Sequence, residues 1–111
     1  MPYMSVKVNI KITEEKEILL KEKFGKAIEA IPGKTEAALM ITFEDEQKMY
    51  FRGKNDKPIA FVEIKLLGKA PLQSLKDMTA LVCDILDKEM GIPTAQTYVK
   101  YEEVEYWGYI G

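Results

Sequence analysis

The chain has 111 residues, 47% of them hydrophobic and 31% charged, which is the make-up of one globular domain with a modest core. A formal net charge of −2, a pI near 5.3 and a single arginine, Arg52, leave no positive field for nucleic acid. With no histidine, and Cys83 as the only cysteine, an internal disulfide, a CxxC motif and the commonest general base and metal ligand are all excluded.

At the N-terminus, Met4, Val6, Val8, Ile10 and Ile12 alternate with Ser5, Lys7, Asn9 and Lys11, a pattern that predicts a strand with one buried and one wet face. The same alternation replaces the apolar run of a signal peptide, and no stretch reaches transmembrane length. A cytoplasmic protein without a membrane partner is the expectation. Thr13 is a good N-cap, Glu14 and Glu15 suit a first helical turn, and Leu20, Phe24, Ala27, Ile28 and Ile31 follow at helical spacing until Pro32 and Gly33. Leu39, Ile41 and Phe43 alternate as a second strand. Glu44 to Glu46 mark a turn before Met49 to Phe51, and Gly53 to Pro58 read as a loop.

The second half repeats this plan. Ala60 to Leu67 is a strand and Gly68 to Pro71 a turn. Leu72, Leu75, Met78, Val82, Ile85 and Leu86 stripe a helix ending at Gly91 and Pro93, and Thr97 to Val104 form the last strand. A shift of 58 residues places Gly33 on Gly91, Leu39 on Thr97, Ile41 on Val99, Phe43 on Tyr101 and Pro2 on Ala60. The expected fold is therefore α+β: a single domain over 1–111, built from two β-α-β repeats at about 2–51 and 58–104. Its four-stranded sheet carries two helices on one face.

The start Met1-Pro2-Tyr3-Met4, Pro32-Gly33-Lys34, Lys57-Pro58-Ile59-Ala60, Leu67-Gly68-Lys69, Thr97-Tyr98-Val99-Lys100-Tyr101 and the late Trp107 stand in an order and spacing that cover nearly the whole chain. In this the sequence resembles the macrophage migration inhibitory factor family of the tautomerase superfamily. The resemblance implies a homotrimer with keto-enol tautomerase sites between neighbouring subunits and no cofactor. Pro2, freed by removal of Met1, matches the family's catalytic base, and Lys34 its substrate-carboxylate lysine. Leu67 falls at a position whose backbone N–H faces the pocket, and Tyr98 matches a tyrosine supplied by the adjacent subunit. Lys100 stands where better-known members have asparagine, adding a second cation, and Trp107 belongs to an aromatic tail that lines the site or covers a subunit boundary. The implied substrate is a small aromatic 2-keto acid such as phenylpyruvate. The cysteine pair of animal members is missing, because Ile59 and Val62 occupy those places.

The residues suit that chemistry. Tautomerisation needs a base near the α-carbon and a donor near the carbonyl oxygen. An ordinary α-amino group, with a pKa of roughly 7.7 to 8.0, is a poor base at neutral pH. Apolar surroundings such as Tyr3, Leu67, Tyr98 and Trp107, with the Lys34 cation, lower that value. Simpler readings stand beside these: Lys34 as a solvated lysine at a helix end, Cys83 as a small buried hydrophobe, and the carboxylates of Glu44 to Glu46 and of Glu102, Glu103 and Glu105 as solvated faces with no metal. Gly33-Lys34-Thr35 fails as a P-loop, since Ile28 stands where the upstream glycine belongs. Two other function classes remain open at this level: a signalling or host-modulating protein exported without a leader, and a related proline-based dehalogenation or decarboxylation.

Overall fold

A computed structural model describes residues 1–111. Strand β1 (Pro2–Val8) leads through helix α1 (Glu14–Ala27) to β2 (Met40–Glu44). Strand β3 (Ala60–Leu67) leads through α2 (Leu72–Met90) to β4 (Thr97–Val104). The sheet runs β2-β1-β3-β4, with β1 parallel to β2, β3 parallel to β4 and the two inner strands antiparallel. Each parallel pair is closed by a helical crossover. The repeat is visible in the register, since Tyr3 pairs with Met40 and Phe61 with Tyr98, both pairs related by the 58-residue shift.

The core lies between the sheet and the two helices. Met4, Val6 and Val8 of β1 and Val62, Ile64 and Leu66 of β3 point into it, and meet Leu20, Phe24 and Ile28 from the first helical segment and Met78, Val82 and Leu86 from the second. The odd positions of β1 and β3, including Tyr3, Lys7, Phe61, Glu63 and Lys65, form the opposite, wetter face. Thr13 caps α1 by accepting a hydrogen bond from the Lys16 N–H, and Gly91 ends α2 with φ of 65°, a left-handed conformation that a side chain disfavours. Glu89 ties the helices together through Lys16 and Lys23. Cys83 is buried, and burial pushes its thiol pKa up, in keeping with a packed hydrophobe.

Two departures from the sequence pattern have local causes. The alternation of Met4 to Ile12 predicts a longer first strand, but β1 ends at Val8. There the Asn9 side chain donates to the Lys57 carbonyl and accepts from the Ile59 N–H, and the Ile12 N–H turns to the Asp45 carboxylate. These side-chain partners interrupt the strand ladder, of which the Asn9 N–H to Ile59 carbonyl bond remains. Leu72, counted in the apolar stripe, is the first residue of α2 and remains 67% exposed, because the stripe reaches the core only from the second turn onward.

Candidate active site

The end of α1 positions the first functional side chain. After Ile28–Ala30 continue as a 3-10 turn, the Lys34 N–H donates to the Ile31 carbonyl, and Gly33 takes a φ of 78° to close the reversal. That turn aims Lys34 across the end of the sheet, where its ammonium donates to the Leu67 carbonyl at 3.0 Å. Leu67 is the last residue of β3, and its own N–H donates to the Met1 carbonyl at 3.2 Å. Both backbone groups of Leu67 are thus committed at the chain terminus. Pro2, buried, pairs with Leu66 on the neighbouring rung.

The terminal amine of Met1 shares this corner. Burial, followed by the positive charge and hydrogen bonding of Lys34, holds it below the ordinary α-amino value. Beside it opens a cavity of about 540 Å³ lined by Met1, Tyr3, Ala37, Ala38, Leu39, Met40, Trp107 and Tyr109. Tyr3 turns its hydroxyl away, donating to Thr42 Oγ1 at 2.7 Å on the adjoining strand. The aromatic tail therefore reaches the N-terminal corner through Trp107 and Tyr109, while Tyr106 stays 84% exposed.

Two of the residues singled out in the sequence lie elsewhere in the chain. Tyr98 opposes Phe61, five residues before Leu66 along β3, so it stands about 16 Å down the sheet from Pro2 at roughly 3.3 Å per residue. It is 58% exposed, and packs edge-on against Phe51 and Phe61 at a second, smaller cavity of about 280 Å³. Lys100 opposes Glu63 in the middle of β4 and bonds the Glu102 carboxylate at 2.8 Å, with Glu63 at 3.9 Å. The Glu102 hydrogen bond and charge raise the Lys100 pKa and lower that of Glu102. Within one chain, Lys100 is a neutralised cation away from the Pro2 corner. A single chain thus brings together Pro2, Lys34, Leu67 and Trp107, and not Tyr98 or Lys100.

Residues that the sequence left unremarked complete the cavity. Ala37 and Ala38 sit in a short 3-10 turn, Glu36–Ala38, whose Glu36 side chain lies over Gly25 of α1. No motif marks them, and their only signal is small size directly after Lys34. The residues present offer no cluster of three or more carboxylate or thiol side chains that could hold a metal ion.

The model of the family described as macrophage migration inhibitory factor matches residues 1–111. The chain belongs to this family. It is 28% identical over 104 residues to the macrophage migration inhibitory factor of Xenopus laevis, covering 94% of this chain and 89% of the relative. Among solved structures, the MIF2 protein of Leishmania major superposes with a TM-score of 0.91 at 28% identity, covering 100% of this chain and 95% of that one. The homologue from Prochlorococcus marinus gives 0.86 at 27% identity, covering 98% and 96%. The duplicated sheet is the fold of the tautomerase superfamily, and membership of the family points to isomerase chemistry.

Proposed function

We propose that this protein is a keto-enol tautomerase of the phenylpyruvate tautomerase and dopachrome isomerase type, with the free amine of Pro2 as general base. The observation that supports it most is the convergence of the chain terminus, Lys34 and both backbone groups of Leu67 beside an apolar cavity. Removal of Met1 makes Pro2 the terminus and releases the Leu67 N–H from the Met1 carbonyl. One freed donor then faces the space an oxygen atom has just left, which suits an enol or keto oxygen of the substrate.

In this reading Lys34 holds the substrate carboxylate, as a cation that also disfavours protonation of the nearby amine. The Pro2 nitrogen takes a proton from the carbon next to the keto carbonyl, the electron pair moves onto the carbonyl oxygen, and that oxygen takes a proton from solvent water or from the Pro2 ammonium just formed, to give the enol. The reverse path returns the proton to carbon. The pyrrolidine ring fixes the direction of the nitrogen lone pair, and the apolar walls keep it unprotonated. A homotrimer completes the site, with Tyr98 of the partner subunit entering from the neighbouring sheet. The exposed Met40, Tyr50 and Tyr98 along the outer strands and their connection support a covered surface there.

The test is Pro2→Gly with N-terminal processing verified by mass spectrometry. A positioned base contributes about 10² to 10⁴ in rate, so kcat/KM for phenylpyruvate should fall by that factor. An undiminished rate in the correctly processed variant would sink the proposal.

A further inference from the structure

The internal repeat builds its cavity twice, and the two versions differ in size. The 58-residue shift carries Met1 onto Ile59, Tyr3 onto Phe61, Ala38 onto Gln96 and Met40 onto Tyr98. All four of the first set line the cavity of about 540 Å³, and all four of the second line the cavity of about 280 Å³. Where the larger cavity has the methyl group of Ala38, the smaller has the Gln96 carboxamide, whose Oε1 is buried without a hydrogen-bond partner and so acts as filler. Where the larger has the flexible Met40, the smaller has the Tyr98 ring.

Resting on the tautomerase reading, we infer that Ala37 and Ala38 are the size-determining residues of the site, and that its substrate is a 2-keto acid with an apolar side chain larger than one benzene ring. With Met1 still in place the cavity falls within the range of about 300 to 1,000 Å³ that takes drug-sized ligands, and loss of Met1 removes one of its walls. Apart from Met1, which the tautomerase reading removes, the other seven of the eight lining residues are hydrophobic, and the Tyr3 hydroxyl is spent on Thr42, so the walls favour an unsubstituted apolar group over a hydroxylated one. The alanine wall is held in place. The Leu39 N–H donates to the Glu36 carbonyl, the Ala38 N–H to the Thr35 carbonyl, and the Glu36 side chain rests on Gly25 while facing Lys21. Both alanines are exposed in the chain, and neither has the positive φ that would bar a larger side chain.

The experiment compares kcat/KM for naphthylpyruvate and phenylpyruvate in the unaltered chain, Ala38→Phe and Ala38→Gln, with Ala37→Phe as an independent variant. The unaltered chain should handle the naphthyl acid at least as well as the phenyl acid. In Ala38→Phe the naphthyl-to-phenyl ratio should fall at least about 10-fold, the scale on which a hydrophobic pocket separates ligands by size, with a smaller fall in Ala38→Gln. Circular dichroism and the urea midpoint report that the variants fold, independently of turnover. Turnover of both acids with an unmoved ratio in Ala38→Phe and Ala37→Phe overturns this inference and leaves the tautomerase reading intact. Turnover of neither acid by the processed, unaltered chain overturns both.

Discussion

At one end of the sheet the repeat carries Pro2, Tyr3, Lys34 and Ala38; 58 residues on, the equivalent positions hold Ala60, Phe61, Ile92 and Gln96. The backbone runs alike in both places, though after the first helix the Lys34 N–H donates to the Ile31 carbonyl and after the second the Ile92 N–H donates to the Leu86 carbonyl. Gly33 and Gly91 take φ of 78° and 65° after the two helices, and the Leu67 N–H donates to the Met1 carbonyl as the Asn9 N–H donates to the Ile59 carbonyl. The side chains at the two corners are not the same, and the proposed chemistry needs only the Pro2 corner. The Ile59 carbonyl is fixed by the chain on both sides, whereas Met1 can be cut away. In the proposed function the terminus is what makes one corner reactive, and the side chains differ as well: Lys34 is half-buried at the corner, while Ile92 is fully buried in the core.

The largest effect should come from forcing the two corners to match. Ile92→Lys places an unpaired ammonium in the core and should remove more than about 4 kcal/mol of stability, read as a lower urea midpoint or loss of the folded chain. Next is Lys34→Ala, which leaves the fold in place but should lower kcat/KM for phenylpyruvate by about 10²-fold. It should also move the acid limb of the pH profile. Burial and then the Lys34 charge lower the pKa of the Met1 amine; if they act alike on the Pro2 amine exposed by removal of Met1, losing Lys34 raises that value and shifts the limb to higher pH, while burial keeps part of the depression.

A smaller effect tests the core side of the repeat. Tyr101 is the counterpart of Phe43, and its hydroxyl donates to the Leu75 carbonyl at 3.0 Å and lies 2.8 Å from Thr79 Oγ1. Tyr101→Phe should cost about 1 kcal/mol by urea unfolding, since Thr79 retains its own bond to Leu75. Smallest is Lys100→Gln, for which kcat/KM should change less than about threefold, as Glu102 and Glu63 already neutralise that lysine. A fall as large as that of Lys34→Ala would show that the partner subunit's environment frees it.

These contrasts also mark what the sequence could say. Periodicity bounds β3 and β4 correctly at Ala60–Leu67 and Thr97–Val104, because each strand has one apolar face and ends at a turn residue. It overruns β1, because the Asn9 side chain takes the Lys57 carbonyl and the Ile59 N–H just ahead of β3, and a side-chain-to-backbone bond spanning some fifty residues leaves no trace in local pattern. Of the candidate site, Pro2, Lys34 and Trp107 are named by the resemblance to the family, and one chain brings them to the same corner. Tyr109 belongs to the aromatic tail that the sequence already marks, whereas Ala37 and Ala38 carry no such mark, since a wall made by small size has no signature until the opposite wall is known. The pairing of Lys100 likewise needs the β3–β4 register, which the order of residues along the chain does not specify.

The central claim is that the corner gives Pro2 an unprotonated amine, and it can be measured directly. The chain, labelled with ¹⁵N at Pro2 and freed of Met1, can be titrated by NMR beside an unfolded peptide of the same N-terminal sequence. The Pro2 amine should titrate at lower pH in the folded protein than in the peptide. The unfolded terminus then holds more protons between the two values, and stability should rise with pH across that window. A Pro2 amine that titrates at or above the peptide value would contradict the account.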